Sequence, residues 1–289
     1  MMQNYHDLLQ DVLVNGTCQS NRTGIDAISI PGAMLKYDLA QGFPAITTKK
    51  LPFKSMCAEL VAFLRGAESA KEFRDLGCQF WDQNANENAP WLSNPNRRGH
   101  DDLGRIYGAQ WRRWRKDDGT TIDQVAQALD AIRNRPTDRR IIISAWRPDE
   151  FSQMALPPCH VMYQFLVNKE RGELNLCMYQ RSCDLFLGVP VNIASASLFL
   201  STMAHLAGLT PRHYTHFLAD AHIYVNHADQ VREQLSRAHF APPQLVINAR
   251  VPRGSESSFQ PEWIDAILPS DFSLANYNHH EAIKAPMAV

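Results

Sequence analysis

VNIASASLFLSTMAHLAGL, residues 191–209, is the run that decides how this 289-residue chain folds. A surface helix keeps one polar stripe, whereas this run is apolar nearly all the way round, which is the signature of a helix buried inside a core. Working outward, RRIIISAW (139–146), CHVMYQFLVN (159–168) and ELNLCMYQR (173–181) are β-rich runs before it, the last two joined by residues 169–172 as a hairpin. After it, HYTHFLADAHIYV (213–225) reads as another strand and is followed by a polar helix to about Arg237. Earlier in the chain, Tyr5, Leu8, Leu9, Val12 and Leu13 repeat at helical spacing and stop at Asn15-Gly16, where Gly16 is expected to form a left-handed cap. AISIPGAMLKYDL (27–39) is strand-like with a Pro-Gly turn in it, and residues 56–64 return to a helical period that ends at Gly66. A further helix fits 122–133, and NANENAPWLSNPNRRG (84–99) reads as a surface excursion. The order of runs is α+β rather than strictly alternating, and no internal repeat is visible.

Composition narrows the class. With 45% hydrophobic and 20% charged residues the chain is globular, and no stretch reads as a linker, so residues 1–289 are expected to form a single catalytic domain. Lys and Arg number 29 against 30 Asp and Glu, a net charge of -1, which removes the footprint of a general DNA or RNA binder. No apolar run reaches the roughly 18 residues of a membrane span, and MMQNYHDLLQDVLVNG lacks the flanks of a signal peptide, so no membrane and a cytoplasmic location are expected. Six cysteines without a CxxC pair indicate neither a disulfide framework nor a zinc ribbon.

The common phosphate-loop, dinucleotide, serine-hydrolase and zincin motifs are missing. His213, His216, His222 and His227 invite a metal, but 213 and 216 point to opposite faces of a strand and no Cys or acidic triplet completes a site, so no metal is expected. Cys159 is the thiol that stands out, because Pro157-Pro158 stiffen the approach to it and His160 follows at the head of a strand. Arg139-Arg140 and Arg181-Ser182 each stand at one end of a β run, and arginines grouped with a thiol both lower its pKa and can fork onto a phosphate. The plain alternatives are a small buried hydrophobe and a solvated arginine pair. Asn192 lies in an otherwise apolar run; its carboxamide is either a satisfied structural group or a donor and acceptor that match the edge of a uracil ring. His222 and Tyr224 share one strand face.

These residues carry a resemblance that runs over nearly the whole chain. RTG (22–24), FPAITTKK (43–50), the Glu59 helix, FWD (80–82), DLGRIYGAQWR (102–112), DRRIIISAW (138–146), ALPPCH (155–160), QRSCDLFLGVPVNIAS (180–195), DAHIYVNH (220–227) and the terminal KAPMAV (284–289) resemble the thymidylate synthase family, in family order. The resemblance implies a thymidylate synthase-like α+β fold: a mixed β-sheet with a buried central helix and flanking helices. It implies reductive methylation of dUMP to dTMP, with 5,10-methylenetetrahydrofolate as co-substrate. It also implies a homodimer whose partner lends Arg139 and Arg140 to each site.

Carried over position by position, Cys159 resembles the nucleophile that adds to pyrimidine C6, and Arg22, Arg181 and Ser182 resemble phosphate ligands. Asn192 resembles the reader of the pyrimidine edge, and His222 and Tyr224 the holders of the ribose 3′-hydroxyl. Glu59, Tyr107 and His160 resemble a proton-relay and water network. Asp184 resembles a group shared by nucleotide and pterin, and Phe80, Trp81, Asn84, Leu156, Leu187, Gly188, Val191, Met287 and Ala288 resemble the folate site. The chain departs from the family with Val191 and Ala196 where aromatic residues are usual and Ala219 where Gly is usual, while Trp81 and Val289 are in place. A smaller wall would admit water, which is the step of the related dUMP 5-hydroxymethylase; a non-catalytic nucleotide- or RNA-binding protein is the remaining alternative.

Overall fold

A computed structural model describes residues 1–21, 23–254 and 260–286. Its centre is a six-stranded sheet in the spatial order Thr17–Gln19, Ala27–Asp38, Thr210–Tyr224, Glu173–Asp184, His160–Asn168, Ile142–Ser144. Neighbouring strands pair antiparallel except Glu173–Asp184 with Thr210–Tyr224, which run parallel. Parallel neighbours need a long crossover, and the buried helix, Gly188–Ala207, is that crossover. The sheet is therefore mixed. The hairpin at 169–172 forms as expected, with Asn168 opposite Glu173.

The crossover helix is buried along its length apart from Gly188, Val191, Asn192 and His205. Its internal hydroxyls are satisfied without leaving the helix: Ser197 donates to the Ile193 carbonyl, Ser201 to that of Ser197 and Thr202 to that of Leu198, each at 2.8 Å. Phe199 joins it to its surroundings, stacked on Trp111 at 5.3 Å and edge-on to Tyr163 and Phe165. Among the described residues this is the one helix long and apolar enough to cross a membrane, which corrects the expectation that no apolar run reaches that length, and it is packed inside the protein.

The opposite face of the sheet is different. Met34 lies opposite Phe217, Phe217 beside Tyr179 and Tyr179 opposite Met162, so an apolar row crosses four strands. Met34, Phe217 and Tyr179 are 52%, 39% and 42% exposed.

Several local expectations are corrected. The first helix, Gln3–Asn15, ends at Gly16 as its period predicts, but Gly16 is extended (φ -70°, ψ 154°) rather than left-handed. A glycine is needed there because a Cβ would lie 2.4 Å from the Val12 carbonyl oxygen and 2.7 Å from Ile28 Cγ2. Pro31-Gly32 is no turn between strands: Ala27–Asp38 runs through it in one register against Thr210–Tyr224. The helix expected over 122–133 is Gln124–Asn134, since the Asp123 side chain accepts from the Ala126 N–H and caps it there. Of the β run 139–146 the strand proper is Ile142–Ser144, at the sheet edge, with Ile141 and Ala145 adding one backbone hydrogen bond each to the neighbouring strand. The 84–99 stretch is more than a surface excursion: Trp91 is buried, with its indole N–H on the Asp102 carbonyl, and Asn88 and Asn94 bond the carbonyls of Ala155 and Ser152.

Candidate active site

The parallel pair brings the C-terminal ends of two strands side by side, and the crossover helix begins at Gly188, just past the end of Glu173–Asp184. Ser182 pairs with Asp220 and Asp184 with His222 at those ends. Crevices at the carboxyl ends of parallel strands are where α/β sheets bind ligands, because chain direction reverses there and leaves room. The half-buried residues at the start of the helix, Gly188, Val191 and Asn192, recur at helical spacing and form one strip on an otherwise closed surface.

Cys159 sits at the edge of this opening, half-buried, immediately before the His160–Asn168 strand. Its seat is fixed from both sides. The Cys159 N–H donates to the Tyr107 hydroxyl at 2.6 Å, and its carbonyl accepts from the Arg181 N–H at 2.9 Å. The Arg181 guanidinium donates to the Pro158 and Pro157 carbonyls, each at 2.8 Å, and lies 5.6 Å over the Trp146 ring. Two prolines that lack N–H donors are thus held through their carbonyls, and the thiol is presented by a stiff segment. Burial pushes the thiols of Cys57, Cys78, Cys177 and Cys183 up and keeps them protonated and inert.

Glu59 lies on the Phe53–Leu64 helix and is buried. Burial pushes its carboxyl up to about 7, against the opposing pull of the Trp81 indole N–H, which donates to Oε1 at 2.9 Å. Trp81 is itself locked among Phe63, Phe73 and Tyr107 rings, 5.6 to 5.9 Å away. A carboxyl near 7 both releases and takes up a proton at neutral pH. Burial drives the Tyr107 phenol well above its usual value, so it stays a neutral donor. His160 packs 5.4 Å from Tyr107; burial lowers it to about 4, against a hydrogen bond with Asn192, and it is a neutral imidazole.

The Asn192 carboxamide accepts from Gln180 Nε2 at 3.0 Å, and Gln180 in turn meets His216 Nε2 at 2.9 Å. His222 packs against Tyr224 with ring centroids 5.1 Å apart. Burial lowers His222, but the Asp220 hydrogen bond and charge and the Asp184 charge outweigh it and leave its pKa raised. Asp184 accepts from the N–H groups of Phe186 and Leu187, so the carboxylate also shapes the turn into the helix.

The profile of the family described as thymidylate synthase matches residues 3–289. The sequence is 50% identical to the thymidylate synthase of Pseudomonas putida, 47% to that of Pseudomonas syringae pv. tomato and 44% to that of Bordetella parapertussis, each comparison covering 100% of both chains. The chain belongs to the thymidylate synthase family. These alignments run over 323 positions, so the relatives carry segments that this 289-residue family member lacks.

Cys159, Tyr107, Arg181, His160 and Asn192 are thus brought together in this thymidylate synthase family member, with Glu59 joined to them through Trp81. His222, Tyr224 and Asp184 stand at the neighbouring strand ends, and Leu156 and Leu187 are half-buried beside Pro157 and Gly188. Arg22, Met287, Ala288 and Val289 lie outside the described residues. Phe80 lines a cleft with Ser55, Arg74 and Gln83, and Asn84 is half-buried on the Asp82–Asn86 helix. Arg139 and Arg140 are exposed, and Arg140 Nε donates to Asp138 of its own loop at 2.9 Å. Ala196 is 1% exposed and faces the core, so of the two missing rings only the one at Val191 concerns the opening.

Sequence reasoning passed over Lys49 and Gln180, and weighed His216 only as a metal ligand. Burial lowers Lys49 to about 7, and its Nζ lies 3.5 Å over the Phe186 ring. Lys49 and Gln180 fall within quoted motifs, FPAITTKK and QRSCD, and a polar residue fixed in an apolar segment was the available signal.

Proposed function

We propose that this chain catalyses the reductive methylation of dUMP to dTMP, with 5,10-methylenetetrahydrofolate as co-substrate. Family membership makes it a one-carbon transferase acting on a nucleotide and a folate. The observation that carries the mechanism is the seat of Cys159 between Tyr107 and Arg181, with the Trp81–Glu59 pair behind it.

Uracil C5 is a poor nucleophile. When the Cys159 thiolate adds to C6, a C–S bond forms and the C5–C6 π electrons move toward O4, so C5 gains carbanion character. Asn192 offers an N–H to that oxygen where the charge develops. Glu59, close to 7, is read as holding a proton for O4 through water and releasing it again. The folate supplies the one-carbon unit and then the hydride. C5 bonds to the methylene carbon, the C5 proton leaves to a base of the same network, and the bond from that carbon to the tetrahydrofolate nitrogen breaks; hydride from tetrahydrofolate, oxidised thereby to dihydrofolate, then completes the methyl group as the Cys159–C6 bond breaks and the thiolate is regenerated.

The residues present fit that co-substrate. A Cβ on Gly188 would stand 3.5 Å from Asn192 Oδ1 and 3.7 Å from Asp184 Cβ, ordinary contacts, so protein packing does not demand glycine and the missing side chain leaves a cradle. Leu156, Leu187, Val191 and Trp81 are assigned to its wall together with Phe80, Asn84, Met287 and Ala288, and Asp184 to the pterin. Arg22, Arg181 and Ser182 are assigned to the phosphate, and His222 with Tyr224 to the ribose.

The exposed apolar row Met34–Phe217–Tyr179 supports a homodimer through that sheet face, in which Arg139 and Arg140 complete the partner's site. The whole chain is read as one catalytic domain, acting in the cytoplasm. Incubation with dUMP and methylenetetrahydrofolate tests the reading: dTMP by mass, with stoichiometric dihydrofolate by absorbance, supports it. Hydroxymethyl-dUMP without dihydrofolate would replace it with the hydroxymethylase, and absence of turnover would leave a binding protein.

A further inference from the structure

One backbone carbonyl fixes the polarity of a chain of buried side chains that ends at the candidate base-reading residue. Gln180 Nε2 lies 2.9 Å from the Ser182 carbonyl oxygen, which accepts and cannot donate, so the atom facing it must be the amide nitrogen. The same nitrogen then donates to Asn192 at 3.0 Å, which requires the Asn192 oxygen on that side and turns its Nδ2 away. The Gln180 oxygen is left facing His216 Nε2 at 2.9 Å, so His216 must be the Nε2–H tautomer and the donor.

We propose that His216 is a specificity-positioning residue: by donating to Gln180 Oε1 it holds the amide relay in the one orientation that aims the Asn192 N–H group at a C4 carbonyl, and so selects a 4-oxo pyrimidine nucleotide over a 4-amino one. This rests on the reading of Asn192 as the residue that meets the pyrimidine edge. If Gln180 were reversed, its oxygen would face Asn192, the Asn192 carboxamide would reverse with it, and an acceptor would be offered to the ring instead. That arrangement suits the exocyclic amine of cytosine. A reversal also sets the Gln180 oxygen against the Ser182 carbonyl, so the two ends of the relay reinforce one orientation.

The surroundings of His216 fit a fixed donor. The ring is fully buried and packs on Tyr214 at 5.7 Å, and its Nδ1 has no partner among the described residues. Burial, with His160 adding repulsion, lowers the imidazole to about 3, so it is neutral across the working range and its donor is not lost to titration. A buried nitrogen without a partner costs stability, which an apolar side chain of similar shape would avoid. The hydrogen bond to Gln180 is what the imidazole provides in return. Nothing places His216 itself against a ligand; it acts through Gln180.

The test compares kcat/KM for dUMP and dCMP, with product mass, in the full-length wild type and in His216→Phe, His216→Gln, Gln180→Met and Asn192→Asp. His216→Phe removes the donor while keeping an aromatic ring, and the dUMP-to-dCMP preference is expected to fall at least tenfold. His216→Gln keeps an N–H at the position of Nε2 and should restore most of the wild-type ratio, which a merely structural role would not require. Gln180→Met breaks the relay at its middle and should act like His216→Phe, so the inference stays testable if one of the two fails to fold. An unchanged ratio in either folded variant, while Asn192→Asp moves preference toward dCMP, overturns the inference and leaves the Asn192 reading standing. Failure of Asn192→Asp to move the preference overturns both.

Discussion

The indole N–H of Trp81 reaches a carboxyl oxygen of Glu59 at 2.9 Å inside the core, and it is the hydrogen bond that opposes the burial holding Glu59 near 7. That N–H favours the ionised carboxylate, so removing it must raise the pKa further. In Trp81→Phe the limb of the kcat pH profile that belongs to Glu59 should move upward, whereas Glu59→Gln should remove that limb and most of the turnover. A pH profile that keeps a group near 7 in Glu59→Gln would assign that ionisation elsewhere.

The same residue has a sign-definite effect on stability. Its folded pKa of about 7 lies above the 4.5 of a free carboxyl, so the folded state favours the protonated form. Below 4.5 both states are protonated and nothing is lost; between 4.5 and 7 only the unfolded chain ionises, and stability declines as pH rises; above 7 the loss is constant. Two and a half pKa units correspond to about 3 kcal/mol as an order of magnitude. Glu59→Gln, which keeps an acceptor for Trp81, should therefore raise stability by up to about 3 kcal/mol at pH 8 and change it little at pH 4. Urea unfolding at the two pH values measures the difference, and equal effects at both would contradict it.

Cys159→Ser is expected to lose turnover on the order of a thousandfold or more while dUMP binding remains. The backbone contacts to Tyr107 and Arg181 do not involve the thiol, so the seat survives the change. Calorimetric titration with dUMP alongside the dihydrofolate assay separates binding from chemistry. Comparable turnover in the variant would sink the nucleophile assignment.

The apolar row on the sheet makes a paired prediction. Tyr179→Asp combined with Phe217→Asp places carboxylates where two copies would meet, and burying them unpaired is costly. The variant should sediment as a monomer and be inactive. Mixing Cys159→Ser chains with Arg139→Ala/Arg140→Ala chains should restore activity in the hybrid, because one of its sites then has both the thiol and the arginines; Arg140 must first leave Asp138. A monomer with full activity excludes shared sites.

The sequence was most legible where periodicity and covalent stiffness speak directly. The buried helix announced itself by apolarity on every side, and Cys159 by the two prolines before it. The parallel pairing of Glu173–Asp184 with Thr210–Tyr224 is a long-range property that no local pattern carries, yet it is what assembles the site. Gly16 showed the helix end correctly and the reason wrongly, because a close approach by Ile28 is invisible along the chain. His216 was weighed only as a metal ligand among neighbouring histidines; its partner, Gln180, comes from another strand, where a single buried amide leaves no periodic trace.

Val191 and Ala196, equally small in sequence, are predicted to behave differently because they face different ways. Val191 is half-buried on the strip that opens beside Asn192, while Ala196 is closed inside the helix packing. Val191→Phe adds a ring to open space at the proposed folate wall, so the KM for methylenetetrahydrofolate should fall severalfold, and any hydroxymethyl-dUMP formed by water entry should decrease in favour of dTMP and dihydrofolate. Ala196→Tyr forces a ring into filled volume and should cost about 1–3 kcal/mol of stability or more, with no gain in folate affinity. If Val191→Phe leaves both the folate KM and the product ratio unchanged while Ala196→Tyr alters them, the placement of the folate wall along Leu187, Gly188 and Val191 is wrong.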